Sequence, residues 1–214
     1  MVTRNIYSRF LRQETGVTMI EALLTIPLVF LLMAGMIEVG TMMYQFSQTA
    51  KAMQVGARLA AVSSPAVADM TWLTEDYPED SDGTPVPTDF REVTCGPGAA
   101  GCDADALARI YDGGDGLCGA TGDLSGICDV APFISEDNLV ITYRRSGLGY
   151  VGRPRGPVVT VSVEVDGLNF DFFILDDLIR FFLPSSTFAS SFEIPAQRVS
   201  MTSEDLSSCR GVCP

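Results

Sequence analysis

The sequence predicts an α+β protein. A long N-terminal transmembrane helix extends into a small antiparallel sheet domain outside the membrane, and that domain carries a disulfide-bearing loop insert. Three observations predict it. An apolar run from Ala22 to Ile37 continues as an apolar stripe to Val62, Val159, Val161, Val163 and Val165 alternate with polar residues, and all six cysteines lie beyond the helix.

The helix comes first. Sixteen residues without charge separate Glu21 from Glu38, and apolar character resumes through Tyr44. A helix needs about 20 residues to cross a hydrocarbon layer of about 30 Å, which sets the expected span at Val17 to Val39. A rise of about 1.5 Å per residue puts Glu21 and Glu38 about 25 Å apart, one near each face of the bilayer. Arg4, Arg9 and Arg12 precede the span, and such an excess on the short flank keeps that end in the cytoplasm. The chain from about residue 40 onward is then exported. A charge within a membrane helix costs roughly 2.5–3.5 kcal/mol, so Glu21 is either a functional group or the headgroup-level acid of an ordinary signal anchor.

A cleavable secretory signal has the same general form, with Ala34-Gly35 as its small residues. The residues beyond argue for a longer helix. Val39, Met42, Met43, Phe46, Ala50, Met53, Ala57 and Ala61 recur at three- and four-residue steps, and nothing breaks the pattern before Ser63-Ser64-Pro65. Pro27 falls inside the span, where membrane helices tolerate it. A helix from Val17 to Val62 would be roughly 70 Å long. Its outer third to half projects as a stalk whose apolar stripe needs a partner.

These residues carry a family resemblance. The basic leader, Gly16, Val17, Glu21, the apolar helix with early Pro27, Glu38-Val39-Gly40 and Ala57-Arg58-Leu59-Ala60 resemble the amino-terminal third of TadE-like proteins. These are pseudopilins, or minor pilins, of the tight-adherence (Tad) branch of type IV pilus machinery. The resemblance covers residues 9–62. It is only loose over Phe192–Glu204, where Gln197-Arg198-Val199-Ser200-Met201 resembles the family's closing strand, and it is absent between. It implies that a prepilin peptidase cuts between Gly16 and Val17. It also implies partnership with other pilin and minor pilin subunits, with the inner-membrane Tad assembly platform and with membrane lipid. The bacterial inner membrane, with the N-terminus in the cytoplasm and the C-terminal domain in the periplasm, is the implied location, and the extracellular pilus the destination after assembly.

Physical chemistry fits those assignments. Gly16 has no side chain, so a protease can approach the backbone closely. Cleavage would leave the Val17 amine as a cation near Glu21, and in a helical array Glu21 of one subunit could neutralise the amine of a neighbour and set register, the best-attested use of a buried ion pair. Glu38 reads more plainly as an acid at the membrane interface.

Composition bounds the rest. The chain of 214 residues allows one core domain plus a helix. Its net charge of −13 becomes −15 once the leader, with three Arg and one Glu, is removed. A chain this acidic, with a single Lys, is a poor nucleic-acid binder, because phosphate backbones demand cations. The acidity keeps an exported domain soluble.

Cys95, Cys102, Cys118, Cys128, Cys209 and Cys213 all fall on the exported side. An even count in an oxidising compartment argues for disulfides. Zinc is the rival, but the chain has no histidine and no paired Cys-x-x-Cys, so no metal or other cofactor is expected. Six cysteines permit fifteen connectivities; the expectation is three local pairs, Cys95–Cys102, Cys118–Cys128 and Cys209–Cys213. Asp112, Asp115 and Asp123 among glycines invite a calcium reading, although their spacing does not follow the EF-hand pattern and acidic loops are usually just solvated.

Four segments result. Residues 1–16 are the leader and 17–62 the transmembrane and stalk helix. Residues 63–135 are a Gly/Pro/Asp/Cys-rich insert, and 136–214 an antiparallel β domain with a short helix and a Cys-bearing tail. Within the insert, Asp103 to Tyr111 is the one expected helix, with Asp103 as N-cap and Gly113 past its end. In the β domain, Val159–Val165 is a half-buried strand and Asp166-Gly167 a hairpin signal leading to a return strand at Leu168, Phe170 and Phe172. Leu139–Arg144 and Phe192–Val199 are further strands, the latter at an edge because of Pro195. Asp176-Asp177 precedes a short helix over Leu178, Ile179, Phe181, Phe182 and Leu183, read as core between helix and sheet with a ligand groove as the alternative. Without histidine there is no Ser-His or Cys-His pair, and an enzyme is not expected. The expected function is a processed minor pilin that takes part in pilus assembly, adhesion or secretion. The alternative is a signal-anchored single-pass protein with a disulfide-rich binding module.

Overall fold

Helix α1, Thr15–Val62, is continuous through Pro27. The computed structural model describes residues 15–75, 77–78, 80–99, 101–119, 124–153, 157–172, 174, 191–195, 197–203 and 206. The chain divides into two compact units, Met1–Met43 with Asp171–Phe192, and Tyr44–Phe170 with Glu193–Pro214.

In the first unit the helix turns its apolar side chains outward. Leu23, Leu24, Phe30, Leu32 and Met36 are all exposed, Met36 at 78%. A helix that is apolar on every side is built for a nonaqueous surround or for burial by other chains. Among the described residues, α1 is the one helix long and apolar enough to cross a membrane.

The second unit is an antiparallel sheet packed against the outer part of α1. After α1 come the short helix α2 (Thr71–Thr74), strand β1 (Glu92–Cys95), helix α3 (Ala104–Asp112), the single turn α4 (Ile127–Val130), and strands β2 (Leu139–Leu148) and β3 (Val158–Val165). Then follow β4 (Asn169–Asp171), β5 (Ser191–Glu193) and β6 (Gln197–Thr202). The main sheet runs β1-β2-β3-β6, while β4 and β5 form a separate pair. Ile141 stands opposite Val163 and Tyr143 opposite Val161, so alternate residues share one face. That face is buried, as are Met53, Ala57 and Ala60 of α1. Gly56 marks a close approach: a Cβ there would lie 2.5 Å from Ile127 Cδ1 of α4 and 3.4 Å from Val163 Cγ1 of β3. The apolar stripe therefore finds its partner in the chain's own sheet from Thr49 outward, whereas Val39, Met43 and Phe46 remain exposed.

The turn at Asp166-Gly167 does not make a hairpin. Asp166 donates its amide to Asn138 O at 2.9 Å, its carbonyl accepts from Asn138 Nδ2 at 3.0 Å, and Gly167 turns the chain at φ 66°. The ladder position beside β3 belongs to β6, with Val163 opposite Val199. The segment expected as one strand over Phe192–Val199 is two, β5 and β6, divided around Pro195, which has no amide to offer a ladder. β6 takes the edge of the sheet.

The insert contains more structure than its composition suggests. β1 forms the other edge, with Val93 opposite Tyr143 and Cys95 opposite Ile141. α3 is capped as expected: Asp103 Oδ1 accepts from Ala106 N at 2.9 Å and Gly113 takes the left-handed conformation past the end. Disulfides join Cys95 to Cys102 and Cys118 to Cys128. The short helix expected over Leu178–Leu183 and the pair Cys209–Cys213 lie outside the described residues.

Arg145 holds the strap that crosses from α2 to β1. Its side chain is 2% exposed, with Nη1 3.2 Å from Asp89 Oδ2. Nε and Nη2 donate to Leu73 O at 3.2 and 2.9 Å, and the guanidinium stands 4.5 Å from the Tyr77 ring centre. The backbone closes the same clasp, Arg145 N donating to Arg91 O at 3.0 Å.

Candidate functional site

The residues singled out for chemistry sit on the first unit's helix. Gly16 and Val17 fall in the first turn of α1. Glu21, in the following turn, is exposed, and so are Met19, Ile20, Leu23 and Leu24 around it. Among the described residues nothing hydrogen-bonds or ion-pairs with its carboxylate. An acid ringed by outward apolar side chains suits neither water nor lipid alone. A cationic partner would relieve it.

Glu38 behaves in the opposite way: the acid expected at the membrane interface is enclosed by its own chain. It is 1% exposed, and Oε1 accepts from Ile174 N at 2.6 Å. Burial of a carboxylate demands donors, and a chain segment 136 residues away in sequence supplies one. Its own carbonyl accepts from Thr41 Oγ1 at 2.9 Å. The two acids at the ends of the uncharged stretch thus differ in kind: one faces outward, the other is enclosed by its own chain.

Elsewhere the acidic loop residues are occupied locally. Asp112 Oδ1 accepts from Gly114 N at 2.6 Å and Asp115 Oδ1 from Leu117 N at 2.9 Å, each turning back on its own loop. Asp123 lies outside the described residues. No group of three or more acidic or cysteine side chains among the described residues is placed to hold a metal ion. Asp129 does similar structural work, its two oxygens accepting from Gly119 N at 2.7 Å and Gly126 N at 2.8 Å. Tyr143, buried under the sheet, accepts from Ala66 N at 3.0 Å, and burial pushes its hydroxyl up to about 12.

Sequence reasoning missed Glu38 as a buried acceptor and Arg145 as a buried cation. For Glu38 the available signal was its position at the end of a long uncharged run; for Arg145 there was only its place in the β2 alternation, facing the same way as Ile141 and Tyr143.

Helix and sheet together define a class: an α+β protein whose N-terminal helix is apolar enough to span a membrane and whose outer part is stapled by disulfides. The chain's N-terminal segment is TadE-like, since residues 16–58 match the family model described as TadE-like protein. That match covers the N-terminal helix only and ends within the part of α1 that packs on the sheet. No curated protein and no solved structure matches the chain.

Proposed function

We propose that this chain is a minor pilin or pseudopilin of a Tad-type type IV pilus. A prepilin peptidase removes residues 1–16, and the helix then holds the subunit in the inner membrane until it joins other pilin subunits at the assembly platform. The exposed Glu21 carboxylate among outward apolar side chains, inside the TadE-like segment, supports this reading above all. The new Val17 amine would be a cation. Pairing it with Glu21 of a neighbouring subunit offsets the burial of both charges and fixes the axial step between helices. The two disulfides suit an oxidising periplasm or cell surface, and the packing of subunits, not a reaction, is what the protein contributes.

The test replaces Glu21 with Leu. The variant inserts into the membrane at least as well, because a charge worth roughly 2.5–3.5 kcal/mol against insertion is gone, but it no longer enters sheared pilus fractions or supports pilus formation. Undiminished pilus assembly by Glu21→Leu would rule the pairing out.

A further inference from the structure

Glu38 is a buried acid that neither peptidase processing nor the Val17–Glu21 pairing uses. Its partner, Ile174 N, belongs to a segment that groups with the membrane-spanning part of the helix. On the reading that α1 crosses the bilayer, Glu38 marks its outer face. Ile174 is therefore held at that depth.

The sequence from Phe172 to Leu183 suits such a place. It contains Phe172, Phe173, Phe181 and Phe182 among further Leu and Ile, with Asp176, Asp177 and Arg180 as its only charges, and Pro184 follows. Twelve residues are too few to cross a hydrocarbon layer that takes about 20 in a helix. The three charges would each cost roughly 2.5–3.5 kcal/mol at the bilayer centre. So many aromatic and aliphatic residues are equally unsuited to bulk water. Sequence with both properties favours the boundary between headgroups and acyl chains.

We propose that Glu38 clasps Ile174 to the helix at the outer membrane face, so that Phe172 contacts phospholipid there. The protein then touches the bilayer twice, once by spanning it and once through Phe172. The clasp rests on the membrane-anchored reading of α1. It gives the enclosed carboxylate of Glu38 a task distinct from that of Glu21.

The experiment uses the full chain in phosphatidylethanolamine/phosphatidylglycerol vesicles whose acyl chains carry bromine either near the headgroup or near the methyl end. Tryptophan is introduced as Phe172→Trp, and separately as Phe30→Trp, in a Trp72→Phe background. Phe172→Trp fluorescence is expected to be quenched most by the shallow bromine and Phe30→Trp most by the deep one. Adding Glu38→Ala removes most of the quenching at position 172 and leaves position 30 unchanged. Glu38→Gln, which retains a carbonyl acceptor for Ile174 N, preserves it. Quenching at position 30 with none at 172 overturns the proposal while the membrane anchor stands, and shielding of 172 from aqueous iodide in that case assigns the segment to protein packing. Absence of quenching at both positions overturns the anchor and the proposal together. Unchanged quenching at 172 in Glu38→Ala, or its loss in Glu38→Gln, refutes the clasp.

Discussion

Replacing Arg145 with Met retains most of the side-chain stem and removes the cation, which isolates the role of the guanidinium. Leu73 is fully buried, and its carbonyl loses two charged donors at 3.2 and 2.9 Å. A hydrogen bond to a charged group contributes about 1.5–3 kcal/mol, and the Tyr77 stacking adds about 0.5–2 kcal/mol. Asp89 is 42% exposed, so water takes over its solvation. Relief from desolvating Arg145 offsets part of the loss, and a net destabilisation of about 3 kcal/mol is expected, which is roughly a hundredfold in an opening equilibrium. Because the contacts all reach into the strap, amide hydrogen exchange is the fitting assay. Protected amides between residues 70 and 91, such as Leu73 N and Thr74 N bonded to Met70 O, should exchange roughly a hundredfold faster, while those between β2 and β3 change little. Acid provides a second readout. Hydrogen bonding from Arg91, and then from Arg145, holds the Asp89 carboxyl below its ordinary value. Its contribution is therefore present above the unfolded pKa of about 3.9 and lost as pH falls through the lowered folded value, a dependence that weakens in Arg145→Met. Unchanged exchange in the strap of the Met variant would refute the assignment of Arg145 as its clasp.

Gly56→Ala should destabilise the sheet unit by about 1 kcal/mol, since overpacking of about 1–3 kcal/mol against Ile127 exceeds the gain in helix propensity of about 1 kcal/mol. Adding Ile127→Val, which deletes the methyl 2.5 Å from the new Cβ, should cost less in that background than alone, and additive urea midpoints would contradict the close approach. Tyr143 has its pKa raised, so its share of stability is full below the unfolded value near 10 and is lost as pH rises toward about 12. Tyr143→Phe should flatten that alkaline decline while costing about 1–3 kcal/mol at neutral pH for the stranded Ala66 amide; an identical alkaline profile in the variant would count against the burial of this hydroxyl.

What the sequence disclosed was what neighbouring residues decide. The helix Thr15–Val62 rests on uninterrupted apolar periodicity and ends at Ser63-Ser64-Pro65. α3 rests on Asp103 and Gly113, caps that act within four residues of themselves. β3 rests on four alternating valines. The choice of strand partner was hidden, because Asp166-Gly167 turns the chain equally well whether the next strand pairs back or leaves. Asn138, across the end of the sheet, decides for leaving. β1 was hidden because four residues between glycine-rich turns carry too little pattern. Glu38 and Arg145 were hidden for the same physical reason at larger scale: their burial is supplied by segments 136 and 72 residues away, and no local pattern records it.

The central claim is that the chain is a processed pilin anchored by α1. Mass spectrometry of the N-terminus of protein extracted from membranes tests it most directly. Val17 as the first residue is the predicted result; an intact leader would make the chain an unprocessed signal-anchored protein, and a new terminus near Gly35 would make it a secreted one.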